Sequence, residues 1–186
     1  MYIFCCPGLA SCRRRPLSSN VRRHTTDMLS LALKKKRPMP PSARPGKTLV
    51  LDVGQSIIGI YCVQHRRYDA YQDVRRIHGL RRIARAGELI TYNGDRYDLT
   101  EISLLSERLG YAAFKLPPRH VDMRTVCWGP HIIGSSLENT YERQFGSIPS
   151  PSTSYEEDCR RDVRMTFELW SAWCRRALKV NYGAER

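Results

Sequence analysis

Runs of apolar residues predict three consecutive β-strands after residue 47. Residues 48–53, TLVLDV, are almost wholly apolar, which is typical of a central strand covered on both faces. Residues 57–63 and 67–72 follow after short polar turns and predict two more strands. Because these connections are short, the three strands are predicted to form an antiparallel meander.

The segment after the three strands predicts a helix. Residues 73–86 place Val74, Ile77, Leu80 and Ile83 at helical spacing, with arginines on the rest of the cylinder. This helix allows a crossover, so the following strand is expected to lie parallel to the first strand and beside it. The later elements are predicted as a strand at 89–92, a helix at 98–109, a strand at 120–127, a helix at 135–145 and a helix from 155 to about 178.

The order βββαβαβαα predicts the fold class. It is the order of an α/β, ribonuclease H-like fold, in which a mixed sheet combines an antiparallel meander with parallel strands. Helices are expected on both faces of that sheet. Residues 48–180 are therefore predicted to form one domain.

Charge separates this domain from the segment before it. The chain has 186 residues, 31 Lys and Arg, 18 Asp and Glu, and a net charge of +13. Residues 1–47 contain eleven of the basic residues and one acid, Asp27, which leaves 20 basic and 17 acidic residues for the rest. Residues 1–47 are also proline-containing, so they are predicted to be a basic, flexible N-terminal tail or a mis-called start.

Composition also indicates where the protein is located and which partners it binds. No stretch reaches the roughly 20 apolar residues that a membrane-spanning helix needs, so no membrane association is expected. Seven cysteines without a C-x-x-C pair favour reduced thiols and an intracellular, cytoplasmic protein, and a nuclear location is compatible with the basic run 34–37. A basic chain is suited to nucleic acid, and a protein partner is not identified by the sequence.

Three aspartates occupy positions where apolar residues are expected. Asp52 ends the first strand, Asp98 heads the apolar stripe of a helix, and Asp162 lies at the edge of the stripe of the last helix. Each has an ordinary explanation as a turn former, a helix-dipole acid or a surface ion-pair partner. Together they would repel one another at one sheet edge, and carboxylate oxygens are the ligands of Mg²⁺ or Mn²⁺. The combination predicts a metal site.

These segments resemble the predicted 3'-5' exonuclease branch of the DEDD, ribonuclease H-like superfamily. LVLDV resembles its first motif, TYNGDRYDL, which includes Asn93, its second, and YEEDCRRDVRMTFELW its third. The resemblance covers residues 48 to about 175. It implies a metal-dependent nuclease that hydrolyses phosphodiester bonds of single-stranded DNA or RNA, with up to two Mg²⁺ or Mn²⁺ ions. Asp52, Asp98 and Asp162 are then the catalytic and metal-binding residues.

The acidic constellation is incomplete relative to this family. Position 54 is Gly where the first motif has Glu, so weak, Mn²⁺-favoured activity or none is expected, with a gain from Gly54→Glu. Asp158 and Glu157 occupy the positions where the third motif has Tyr or His. Two further auxiliary candidates are Gln55, which is neutral and next to Gly54, and Asn93. Tyr155 is the last candidate; it lies seven residues before Asp162, on nearly the same side of the helix but roughly 10.5 Å along it.

Two other functions remain open. A degenerate nuclease could act as a non-catalytic nucleic-acid-binding or scaffolding domain with the same fold. The Asp52-x-Gly54 pattern also resembles the start of resolvase-like endonucleases, which would use other acids such as Glu88 and Asp158.

Overall fold

The computed structural model describes residues 46–111, 114–130 and 135–179. The predicted basic tail, residues 1–47, lies outside the described residues except for Gly46 and Lys47, and its boundary stays a prediction. The strands are β1 (Thr48–Val53), β2 (Ile57–Cys62), β3 (Arg67–Gln72), β4 (Glu88–Thr91) and β5 (Arg119–Asp122). The helices are α1 (Arg76–Ile83), α2 (Asp98–Arg108), α3 (Met123–Trp128), α4 (Leu137–Phe145) and α5 (Tyr155–Cys174).

The strands form one mixed sheet in the order β3-β2-β1-β4-β5. The pairs β1–β2 and β2–β3 are antiparallel, whereas β1–β4 and β4–β5 are parallel. The predicted meander, the central position of β1 and the parallel β4 beside it are therefore confirmed. The α/β, ribonuclease H-like fold class is confirmed as well.

Apolar side chains alternate between the two faces of β1 and build a core on each. Leu49 and Leu51 pack on one face with Leu80 of α1 and Ile102 of α2. Val50, between them, packs on the other face with residues of α3, α4 and α5. Because both faces are covered, β1 is nearly continuously apolar, and the only acid in it stands near its end.

The structure differs from the sequence-based predictions at two elements. The predicted strand 120–127 ends at Asp122, because the Asp122 carboxylate accepts a hydrogen bond from the Arg124 N–H at 2.9 Å and caps helix α3. The helix predicted from residue 73 starts as a short 3₁₀ turn, Asp73–Arg75, and Val74 is 86% exposed there instead of buried. No helix among the described residues is long and apolar enough to cross a membrane.

Candidate active site at the carboxyl ends of the central strands

A cleft of about 240 Å³ opens where β1 and β4 end. Parallel strands place their carboxyl ends at the same sheet edge, so the segments that follow them meet there. Asp52, Asp98 and Asp162 all line this cleft, and they come from β1, α2 and α5. The three acids singled out by sequence are thus brought to one cavity by three separate elements.

Asp98 connects helix α2 to the end of β1. It is the first residue of α2, is 4% exposed, and its Oδ1 accepts a hydrogen bond of 2.7 Å from the Val53 N–H. Burial, repulsion from Asp52 and repulsion from Asp122 raise the pKa of Asp98 well above its usual value, although the Val53 bond opposes them. This carboxylate therefore carries a free energy cost that an added cation would relieve.

Asp52 and Asp162 line the same cleft, and the negative charge of Asp52 repels that of Asp162. Burial raises the pKa of Asp52, against a hydrogen bond from the Cys159 thiol. Burial and the neighbouring Asp52 raise the pKa of Asp162 to about 6, although Arg161 opposes them. The Arg161 Nε lies 3.3 Å from Asp162 Oδ1. Asp52 and Asp98 form no ion pair with any residue that the structure describes.

The turn after β4 is tight and is held in place by Asp122. Asn93 has a left-handed backbone (φ 60°), and a side chain at Gly94 would collide with that of Thr91. The Asp122 carboxylate holds this turn by accepting the N–H groups of Asn93 at 2.7 Å and Asp95 at 3.3 Å. Sequence reasoning missed Asp122, since it fell inside a predicted strand.

Two polar atoms of the cleft wall are buried without a hydrogen-bond partner among the described residues. They are Asn93 Oδ1 and Ser135 Oγ, and both residues line the cleft. Buried polar atoms are normally paired, because leaving one unpaired costs about 1–3 kcal/mol. Both atoms are therefore available to a polar group that enters the cleft.

The other auxiliary candidates lie outside this cleft. Glu157 is exposed and belongs to the first turn of α5. Asp158 pairs with Arg161 at 3.6 Å. Gln55 is exposed, and its backbone N–H donates to the Tyr155 hydroxyl at 3.0 Å. Glu88 begins β4, where it pairs with Arg119 at 3.2 Å, so it lies at the opposite strand end from the cleft.

The donor chemistry of the cleft suits Mg²⁺ or Mn²⁺. Carboxylate and amide oxygens are hard ligands. Burial raises the pKa values of all three aspartates, and only Asp162 has a cationic side chain, Arg161, beside it within the described residues. Within residues 46–111, 114–130 and 135–179, no three His, Cys, Asp or Glu side chains are grouped as the ligands of one ion. Binding would therefore require the carboxylates to turn toward the ion.

Comparisons with known proteins support the fold. No family model matches the sequence, and no curated protein matches it. Among solved structures, the family B DNA polymerase from the hyperthermophilic archaeon Pyrobaculum calidifontis is similar, with a TM-score of 0.51 and 15% sequence identity. The similarity covers 70% of this chain and 25% of the polymerase, so the chain spans about a quarter of that protein's length. At this identity the similarity concerns the fold alone.

Proposed function

We propose that this protein is a metal-dependent nuclease of the 3'-5' exonuclease type, acting on single-stranded DNA or RNA. The observation that carries the proposal is the convergence of Asp52, Asp98 and Asp162 on one cleft, with raised pKa values and no cation beside two of them. Acids so placed are costly to the fold, which is the usual mark of a functional site.

Asp52, Asp98 and Asp162 would hold Mg²⁺ or Mn²⁺ in this cleft. A bound dication supplies charge that activates a water molecule and stabilises the leaving oxygen of a phosphodiester. The chain's own contribution is to place the three carboxylates and to exclude solvent around Asp98, which is 4% exposed. Asn93 Oδ1 and Ser135 Oγ are available to bind and orient the polar groups of a nucleotide.

Charge and fold favour nucleic acid as the substrate. A net charge of +13 attracts a polyanion without regard to its sequence. The similar structure is a DNA polymerase, which adds a fold-level analogy. We also propose an intracellular location, because Cys62, Cys127, Cys159 and Cys174 are all free thiols.

A non-catalytic nucleic-acid-binding domain is the second candidate function. It is favoured by the glycine at position 54 and by the carboxylates not being grouped as ligands of one ion among the described residues. The resolvase-like alternative has less support, since Glu88 lies at the far end of β4 and Asp158 is paired with Arg161.

The deciding experiment compares the wild type with Asp98→Asn and with Glu107→Gln. Glu107 lies on the same helix as Asp98 and is exposed, so it controls for loss of charge on α2. Each protein is incubated with 5'-labelled single-stranded DNA and RNA in Mn²⁺, in Mg²⁺ or in EDTA. We expect Mn²⁺-favoured shortening from the 3' end, abolished by EDTA, and at least about 100-fold slower in Asp98→Asn.

Three results would distinguish the candidate functions. Glu107→Gln should digest the substrate at the wild-type rate. Binding of the labelled strands without any cleavage would establish the non-catalytic alternative. Cleavage that persists in Asp98→Asn or in EDTA would contradict a metal-dependent reaction in this cleft.

A further inference from the structure

A second concave surface, the aromatic groove, lies between helix α5 and strand β2. It has a volume of about 330 Å³, and none of the described residues that line it also lines the cleft. Its floor is formed by Tyr61 from β2 and by Phe167 and Trp170 from α5. The ring centroid of Phe167 lies 4.8 Å from that of Tyr61 and 6.0 Å from that of Trp170. The three rings therefore form one apolar strip.

This strip belongs to the core on one side and is partly open to solvent on the other. All three rings pack against the core cluster that contains Val163 and Leu169, yet each ring is only partly buried. Neighbouring aromatic faces in water offer a surface on which a planar ring can stack. The volume of the groove is at the lower end of the range of ligand pockets, about 300–1,000 Å³. It suits one nucleobase with its sugar.

The rim of the aromatic groove is positively charged. Arg66 and Arg175 line it and are exposed, and neither forms an ion pair within the described part of the chain. No Asp or Glu is among the described residues that line the groove. The acid whose charge reaches Cys174, on the same rim, is Glu88, and Arg119 pairs with it at 3.2 Å. The groove therefore combines an aromatic surface with positive charge that is free to bind an anion.

We propose that the aromatic groove binds one nucleotide of a single-stranded nucleic acid. The base stacks on Phe167 and Trp170, and the phosphate pairs with Arg66 and Arg175. A nucleotide matches both features of the groove, because it joins a flat ring to a negative charge. Trp170 follows Asp162 on α5 by about 12 Å along the helix, so the groove holds the strand at a distance from the cleft. The inference rests on the proposed function only for the class of polymer.

Binding of labelled strands in EDTA tests the proposal without using activity. Two DNA strands of about ten nucleotides are compared on the full chain by fluorescence anisotropy: oligothymidylate, and an abasic strand with the same charge and no bases. Attraction by charge alone acts on both strands, so stacking should make the wild type bind oligothymidylate at least about 5-fold more tightly. Trp170→Leu should bind the two strands about equally. Trp173→Leu is the matched control and should keep the preference, because Trp173 is 41% exposed on the same helix and does not line the groove.

Two adjacent arginines test the phosphate contact. Arg175→Gln and Arg176→Gln remove the same charge from exposed positions, but only Arg175 lines the groove. The affinity for oligothymidylate is measured over a range of salt concentrations. We expect the slope of log affinity against log salt to become shallower by about 0.7 in Arg175→Gln, as for the loss of one phosphate contact with a single strand, and to stay unchanged in Arg176→Gln.

The Cys174 thiol reports whether the groove is occupied. It lines the groove and is the one exposed thiol among the described cysteines. Its alkylation by iodoacetamide is followed by peptide mass spectrometry, at mildly alkaline pH because burial raises the pKa of the thiol. Saturating oligothymidylate should slow this alkylation at least about 5-fold in the wild type. A Cys174 thiol that is already shielded in the free protein would overturn the inference, because another segment of the chain or a second copy would then fill the groove.

The results separate this inference from the proposed function of the cleft. Equal affinity of the wild type for the two strands, or equal changes of slope in the two arginine variants, would overturn the inference and leave metal-dependent cleavage standing. The expected binding pattern without any cleavage would support the groove and contradict the nuclease. Circular dichroism establishes that Trp170→Leu is folded, and the arginine pair, at exposed positions, decides the question if it is not.

Discussion

Two groups of carboxylates in this protein have opposite surroundings. Asp69, on β3, lies 2.8 Å from Arg67 Nε and 2.5 Å from Arg82 Nη1. Burial alone would raise the pKa of Asp69, but hydrogen bonds and charge from Arg82 and Arg67 lower it. In the cleft, Asp52 and Asp98 have raised pKa values and no ion pair within the described part of the chain.

This difference does not come from a shortage of positive charge. The chain has 31 Lys and Arg for 18 acids, and arginines neutralise Asp69 and Glu88 elsewhere on the sheet. The cleft acids are instead left to repel one another, which costs stability. A fold tolerates such a cost where the group has another task, which under the proposed function is to bind a cation from solution.

The largest change in stability is expected on substitution of Asp122, whose carboxylate is stabilised by backbone N–H groups and not by an arginine. Its carboxylate accepts hydrogen bonds from Asn93, Asp95 and Arg124, and it is 7% exposed. We expect Asp122→Ala to lower the free energy of unfolding by about 2–3 kcal/mol, because it leaves three donors without an acceptor. Urea denaturation measures this change.

Asp122→Asn sharpens the interpretation, because the amide keeps one acceptor oxygen and asparagine is a good N-cap residue. It should lose about half as much stability as the alanine variant. Equal losses in the two variants would mean that the negative charge, and not the hydrogen bonding, holds the turn after β4.

Much of the fold could be predicted from the sequence, because the residue patterns that determine its elements are local. The apolar run of β1, the short turns of the meander and the capping Ser154 each act over a few residues. The strand that was predicted to continue to residue 127 failed for a related reason. Asp122 ends it through a cap, while the apolar residues that follow fit a strand and a buried helix equally well.

The candidate site was accessible only in part. Asp52, Asp98 and Asp162 stand out because each interrupts or borders an apolar pattern. Tyr155 could not be placed, since its contact with Gly54 joins residues 101 positions apart and depends on how α5 docks on the turn after β1. Asp122 was missed because a carboxylate that binds backbone N–H groups leaves no periodic signal.

The next effect is expected at Asp162, on the cleft side of the comparison. Burial and Asp52 raise its pKa to about 6, so its protonation favours the folded state. The stability that results is fully present below the unfolded pKa, near pH 4, and is lost as the pH rises through 6. Without metal, Asp162→Asn should therefore be about 1–2 kcal/mol more stable than the wild type at pH 7.5, and equal to it near pH 4.

Urea denaturation in EDTA across this pH range measures the difference, and Glu107→Gln is the control because its side chain is exposed. Saturating Mn²⁺ should reverse the order at pH 7.5, since the ion stabilises only the chain that binds it. A stability difference that does not change between pH 4 and 7.5 would show that the charge of Asp162 is not its cause.

The smallest change in stability is expected on substitution of Asp69, and its sign is opposite to that expected for Asp162→Asn. Its pKa is lowered in the folded state, so its contribution is present above the unfolded pKa and is lost as the pH falls toward the folded value. Asp69→Asn should be less stable than the wild type at pH 7.5 by about 0.5–1 kcal/mol, because Arg67 is largely exposed and its attraction is screened. The same denaturation series should show the difference shrinking below pH 4, and it should shrink in 1 M salt as well. If Asp69→Asn instead gained stability at pH 7.5, as Asp162→Asn is expected to, then the arginines of β3 and α1 would not be neutralising this acid, and the contrast between the two groups of carboxylates would not hold.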